Sequence, residues 1–519
     1  MAKKRSGPAP SVRLSMAPIL FHELSQLRFS VVCIGDEDAD SALHLSIAWL
    51  ALCPRRPASV CTPSSATENS ILVSSIDINE TKMYTVSPEA PMAENVVYLH
   101  PQPEPIAHYL RIGTLHRQVE RLLAAGRLPV ERIVVEGAAF ARQKDVVAQL
   151  ADAGRELILD TNAAELSSAG RWNGAVSAAP WAYSEGALQP DHFTGRGNHD
   201  VIGLIARFAV EHGFSAVHAP THLLDNSTDG AFQLDRQSCV NLRRALDGAG
   251  GKDIAIDYPL TIKNASLRDP AQRRAFIAGL VDLPFDNLWL RISGFGADAR
   301  APMLRRYIAA MIDFQRLDKP IVADNLGVLA ALATGAFGAA GGGCHGLGEK
   351  ERFDASDWNK PPVPGGGGRQ KRILIPGLDR LLSLKQVDVI VQAEGARRLL
   401  SCHDRDCCPN GLADTLKDPK AHYIRQRANQ FARLSRLPRG RRVADFVKHE
   451  LADAARTAAD AAKLNLADES TGEMLRRNSE RLERMGPILT ELHNTMGDDH
   501  HSLVPRRRAT RRVAASGKL

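Results

Sequence analysis

No run of about 18 apolar residues occurs anywhere in the 519-residue chain, so the sequence offers no membrane-spanning helix. The basic start, Met1 to Arg13, is not followed by an apolar stretch with a small-residue cleavage site, which argues against an export signal. Cysteine is sparse: Cys33, Cys53, Cys61, Cys239 and Cys344 stand alone, and such usage excludes a disulfide scaffold and suits reduced thiols in the cytoplasm. Aromatic residues make up only 5% of the chain. What is abundant is apolar aliphatic sequence, 44% hydrophobic residues in all, enough for one barrel-sized core and one or two smaller units.

Residues 1 to 95 read as a small N-terminal region of unassigned role, with a strand-then-helix signal at 29–52 and a polar stretch at 62–80. From residue 96 the pattern becomes regular: short β-branched runs alternate with amphipathic segments of about 10 to 15 residues, which predicts βα units. The expected strands are 95–99 or 109–112, then 132–136, 156–160, 216–219, 254–257, 288–292, 321–323 and 338–345. Helices are expected at 143–153, 201–212, 270–280, 301–314 and 328–333. No Gly fingerprint follows the first strand, so a closed (β/α)8 TIM-type barrel over residues 96–360 is preferred to an open dinucleotide-binding sheet. The Pro- and Gly-rich run 361–368 then reads as a linker opening a zinc-site-like segment, 361–425, in which 372–400, including Val387 to Gln392, looks β-rich. A basic helical extension, 426–498, and a disordered basic tail, 499–519, complete the expected organisation.

In such a barrel the chemistry sits at the C-terminal ends of the strands. That rule selects Glu136, Asp160, Asn162, His218, His222, Asp225, Asp257, Lys263, Asp324, Asn325, Cys344 and His345. Carboxylates brought together at a desolvated mouth can divide into a protonated acid and an ionised base or nucleophile, an arrangement suited to glycosidic chemistry. Helix capping is the competing role for Asp160 and Asp324. His218, His222 and Asp225 are alternatively ligands for a divalent ion in a small-molecule hydrolase or lyase. His199-Asp200 is read as structural, at a helix start. The Gly-rich run 335–348 would let backbone approach a ligand closely.

Cys402, Cys407, Cys408 and His422 form the most specific local signal, because three thiolates and an imidazole satisfy tetrahedral zinc, with free thiols as the alternative. Seven arginines and no acid lie between Tyr423 and Val443, and a second basic run occupies 505–519; a polyanion such as nucleic acid is the natural partner, held through Arg425 to Arg442. A solvated helix face is the plainer explanation of either run.

The segment IAIDYPLTIKNASLRDPAQRRAFIAGLVDLPFDNLWLRISGFGAD, with Leu267-Arg268, Phe285-Asp286 and Ser293-Gly294-Phe295, resembles the tRNA-guanine transglycosylase superfamily in layout. KPIVADNLGVLAALATGAFGAAGGG and the Cys402, Cys407, Cys408, His422 set, entering HYIRQRANQ, are similar to that family's next unit, structural zinc site and His-bearing helix. LILDTNAAEL looks like the strand carrying its first active-site aspartate. The resemblance covers about half the chain. It implies a (β/α)8 enzyme exchanging or removing a guanine-type base in tRNA or DNA, with Asp160 as acid–base residue and Asp257 or Asp324 as nucleophile or base-recognition group. Glu136, His218, Gly294 and Gly342 would line the purine-like base, and a homodimer is compatible with this reading. The family's nucleophilic carboxylate has no counterpart among Gly341, Gly342, Gly343 and Cys344. A non-catalytic, zinc-containing nucleic-acid-binding protein is therefore the second expectation.

Overall fold

The structure is a computed structural model that describes residues 105–509 apart from 169, 171–174, 196–197, 297, 348–350, 360–371, 376 and 497–499, together with the backbone of three strands nearer the start. The chain divides into two compact units, Met1–Gln102 and Pro103–Leu519. In the first, Phe29–Val32, Leu72–Asp77 and Glu80–Thr85 form an antiparallel sheet with Leu72–Asp77 in the middle. The alternative first barrel strand, 95–99, lies outside the described residues.

The second unit is a closed barrel of eight parallel strands. They are β1 (Ala107–Arg111), β2 (Arg132–Glu136), β3 (Glu156–Asp160), β4 (Ala216–His218), β5 (Ala255–Lys263), β6 (Asn287–Ser293), β7 (Ile321–Asp324) and β8 (Gly342–His345). Neighbours pair in sequence order, and β8 closes on β1 through registers such as Cys344 opposite Tyr109. Runs such as IVV in β2 and LIL in β3 are buried on both faces, as a parallel sheet covered by helices requires. Seven helices follow in turn: α1 (His116–Ala124), α2 (Phe140–Asp152), α3 (Val201–Glu211), α4 (Gly230–Gly248), α5 (Pro270–Leu280), α6 (Ala301–Asp313) and α7 (Val328–Ala336). Their starts are fixed locally. Asp200, Asp229 and Asp269 accept the first free amides of α3, α4 and α5, and Pro270 occupies the first turn of α5. Asp200 is thus a helix cap, as its position after a turn suggested.

The eighth barrel helix does not follow β8 directly. It is α8 (Pro419–Ser435), which packs between α7 and α1, so the segment of about 70 residues between β8 and α8 is an insertion within the barrel. A linker after residue 360 therefore does not end the barrel, and the arginine-rich region begins on its last helix. The insertion holds a hairpin, Arg372–Ile375 with Arg380–Ser383, followed by a helix, Leu384–Val391. Val387 to Val391 is therefore helical, not β. Ser383 and Gln386 form a reciprocal capping box, a local signal that overrides the β-branched composition.

After α8 come Arg439–Asp445, a π-helical turn Phe446–Leu451, and the helices Ala452–Ala462, Glu469–Glu483 and Met485–Met496. Residues 500–509, expected as part of a disordered tail, instead pack against the barrel's N-terminal rim. Ser502 donates its amide to Gly338 O at 2.6 Å and its hydroxyl accepts from Ile321 N at 3.0 Å. The barrel interior is filled by Tyr109, Val134, Ile158, Trp289, Val322 and Cys344, with Val504 packed beneath them. Among the described residues no helix is long and apolar enough to cross a membrane.

Candidate active site at the barrel mouth and candidate metal centre

Strand alternation aims Arg111, Glu136, Asp160, Arg291 and Asp324 into the C-terminal mouth, where they form one ion-pair network. Arg291 bridges two strands, donating Nη2 to Asp160 Oδ2 at 3.0 Å and Nε to Asp324 Oδ2 at 2.7 Å. Arg111 does the same from β1, bonding Asp160 Oδ2 and reaching Asp324 Oδ2 at 3.2 Å, with Glu136 Oε1 at 3.8 Å. Burial alone would raise both aspartates. The two guanidiniums outweigh it, Arg111 most strongly at Asp160 and Arg291 at Asp324, so Asp160 lies well below and Asp324 below the usual carboxylate range. Both are therefore ionised, and the expected division into protonated acid and ionised base does not occur between them.

The remaining sequence-selected residues fall into three places. At the mouth, Glu136 is half-buried at the end of β2, and Asp160 Oδ1 accepts the amide of Asn162, which adopts a left-handed conformation (φ 53°). Gly294 follows β6 and donates its amide to Phe353 O. Below the mouth, level with Asp257, His218 is fully buried, packed edge-on against Trp289, with Nδ1 3.7 Å from Asp160 Oδ1, too long for a hydrogen bond.

Asp257 and Gly342 are not at the mouth. β5 runs nine residues, to Lys263, so Asp257 lies near its start, bonded to Asn287 Nδ2 at 2.7 Å at the barrel base. Gly342 opens β8 opposite Ala107, equally at the base. Neither contacts a substrate at the mouth. Cys344 is buried inside the barrel and held well above its ordinary thiol value, by burial first and then by Asp324. His345 points outward, its Nε2 2.7 Å from His108 Nε2, and burial pushes it down to about 4.

His218, His222 and Asp225 do not converge either. His222 bonds Asp235 at 2.6 Å, and Asp225 pairs with Lys263 at 2.7 Å. The alternative of a metal-dependent hydrolase using these three side chains is thereby removed.

Sequence reasoning missed the two arginines and the aromatic roof. Beside the ion pairs lies a narrow cleft of about 30 Å³ lined by Asp160, Asn162, Thr221, Thr261, Arg291 and Trp358. Trp358 comes from the insertion, packed with Phe353, whose ring lies 5.9 Å from the Arg291 guanidinium. Ala355 donates its amide to Ser293 Oγ and ties this roof to β6. A signal for the arginines was present. Tyr109-Leu-Arg-Ile112 and Trp289-Leu-Arg-Ile292 each set one charge two residues after an aromatic within an apolar strand, which places aromatic and arginine on the same interior face.

Cys402, Cys407, Cys408 and His422 do converge. Their ligand atoms all lie within 4.8 Å of one another, and among the described residues no other group of three or more His, Cys, Asp or Glu is so arranged. The Cys407–Cys408 Sγ separation is 3.7 Å, and His422 Nδ1 lies 3.5 and 3.4 Å from these sulfurs. Metal–sulfur bonds of about 2.3 Å and a metal–nitrogen bond of about 2.0 Å in a tetrahedron would give edges of about 3.8 and 3.5 Å. His422 Nε2 faces Leu374 O at 3.2 Å, which leaves Nδ1 as the free donor. The residues fit a metal ion such as zinc.

The arginine-rich run divides between buried and exposed positions, with Arg436 and Arg441 exposed. Arg427 is buried against Glu351 at 2.8 Å, Arg442 is buried and donates to Leu437 O, and Arg433 pairs with Asp445 and Glu450.

No protein-family model and no curated protein matches the chain. Among solved structures it is similar to a mutant of xylanase A from P fluorescens subsp. cellulosa in complex with xylopentaose. That match has 12% identity over 50% of this chain and 91% of that one, with a TM-score of 0.31. A beta-mannanase from Bacteroides ovatus matches at 11% identity over 50% and 85%, also with a TM-score of 0.31. Native xylanase 10B from Thermotoga maritima matches at 9% over 47% and 82%, with the same score. Likeness this distant carries nothing about substrate.

Proposed function

We propose that this chain is a divergent transglycosylase-like enzyme of the tRNA-guanine type, which exchanges or removes a guanine-type base in tRNA or DNA. The observation that carries this reading is the meeting of Cys402, Cys407 and Cys408 with His422 on α8, the ligand set and His-bearing helix that the resemblance implies. Zinc held by these four residues would be structural, clipping the insertion to the last barrel helix away from the mouth. At the mouth, Asp160 is the residue in contact with the reacting nucleoside. An ionised carboxylate opposes the positive charge that develops at the sugar C1′ as a base leaves. Arg291 shares the cleft and has the donors to meet a base carbonyl, and Trp358 supplies a flat face for the ring. Asp324, fully buried beneath both arginines, holds them in place and does not act as nucleophile.

Incubating the purified protein with labelled guanine and either tRNA or duplex DNA tests this. Label entering one polymer, or guanine released from it, and lost in Asp160→Asn, supports the reading; the absence of both label uptake and guanine release with either polymer overturns it. The second reading, binding without turnover, is favoured by one fact: both mouth aspartates are committed to guanidiniums, and β8 carries no carboxylate. A saturable isotherm with tRNA or DNA, without base release, would select it.

A further inference from the structure

The Gly-rich run before and within β8 admits a close neighbour, and that neighbour is the chain itself. A Cβ on Gly341 would lie 1.9 Å from Leu503 O, and one on Gly338 would lie 2.2 Å from His500 O. Across the same rim Arg132 Nη2 donates to Pro505 O at 2.8 Å, and Arg507 pairs with Glu131 at 2.8 Å. The segment then delivers Arg508 beneath the barrel. Its guanidinium stands 3.6 Å from Glu156 Oε1, 3.7 Å from Asp257 Oδ1 and 3.7 Å from Asp286 Oδ1. Glu156 and Asp257 are fully buried inside the strands.

We infer that residues 500–509 form a conformational latch that closes the base of the barrel, with Arg508 as the charge that lets Glu156 and Asp257 coexist inside it. The groups facing these carboxyls are Arg132, Tyr109, His218, Asn287, Asp286 and Arg508. Arg132, 3.4 Å from Glu156 Oε2, is the only other permanent cation among them. Three acids thus face two guanidiniums, and withdrawal of the latch leaves one. Burial raises the pKa of both carboxyls; Arg132 and then Arg508 oppose it at Glu156, and Arg508 opposes it at Asp257, so an open latch drives them further toward taking up protons. The Arg508 guanidinium meets its three carboxyls at 3.6 to 3.7 Å, while hydrogen bonds such as Ser502 N to Gly338 O at 2.6 Å seat the segment on the rim.

The test is the thermal midpoint of the full chain at pH 5 and pH 8. Arg508→Ala should lower Tm by about 5 °C at pH 8 and by clearly less at pH 5, because burial holds both carboxyls above their ordinary range and eases their protonation as pH falls. The same substitution made with Glu156→Gln and Asp257→Asn should cost little at either pH. Hydrogen exchange of Ser502 and Leu503 should rise in Arg508→Ala and in Gly341→Ala, the second of which displaces the segment without altering a charge. An Arg508→Ala deficit equal at both pH values, or one undiminished with the neutral pair, overturns the proposal. If Arg508→Ala alone does not fold, the triple variant decides: folding supports the latch charge, and failure to fold refutes it.

Discussion

Within the mouth, each of two carboxylates is shared by the guanidiniums of Arg111 on β1 and Arg291 on β6, and that sharing decides what each substitution does. Asp324→Asn leaves Arg291 and Arg111 buried with half their compensation, so a loss of about 3–5 kcal/mol in urea unfolding is expected. Glu136→Gln, on a half-exposed side chain 3.8 Å from Arg111, should cost well under 1 kcal/mol in the same measurement. Asp160 and Asp324 both have folded-state values below the unfolded range. Their contribution is therefore complete above about pH 4 and is lost as pH falls below it. A second acid-sensitive group lies on the outer face of β8, under α8. His345 is pushed by burial from 6.5 down to about 4, so it favours the folded state above pH 6.5 and withdraws that support as pH falls toward 4. Urea midpoints measured from pH 7 to pH 4 should decline less steeply in His345→Gln than in the unaltered chain. The arginines that organise the mouth were legible only as misfits, single charges within apolar strands. Their partners were legible as strand-end carboxylates, but nothing in the spacing says that two aspartates 164 positions apart share one guanidinium.

At the level of elements, the insertion between β8 and α8 governs both the metal centre and the roof of the mouth. Cys407→Ser with Cys408→Ser should remove bound metal, as read by elemental analysis, and should make residues 401–418 the first site of limited proteolysis. The barrel strands should persist, because their pairing runs through β8 and β1 and does not involve the cysteines. Metal retained in that variant would refute the assignment of the ligands. Strands were the most readable elements, since IVV, LIL and LWL runs need burial on both faces and helices to provide it. The role of α8 was not readable: its sequence, with four arginines or lysines, looks like an extension, yet Tyr423, Ile424, Arg427 and Phe431 bury one face in the eighth position of the ring. The helix at Leu384–Val391 was misread for a related reason. A β-branched run reports burial, whereas the Ser383–Gln386 box reports helix direction, and the second signal was overlooked.

For the whole molecule, the notable arrangement is a barrel with charge at both ends and an apolar belt between. Above Tyr109, Trp289 and Ile158 lie Arg111, Arg291, Asp160 and Asp324; below them lie Arg132, Glu156, Asp257 and the incoming Arg508. His218, level with Asp257 in the register and 3.7 Å from Asp160, is the buried polar group between the layers. The closed barrel follows from eight alternating units, but the lower layer could not be foreseen, because one of its members arrives 352 positions after the carboxylate that it faces. That separation also orders events during synthesis. A nascent chain can pair β1 to β8 once residue 345 is free, yet Glu156 remains without Arg508 for on the order of tens of seconds of further elongation. Throughout that interval the barrel either holds protons on its lower carboxyls or stays partly open.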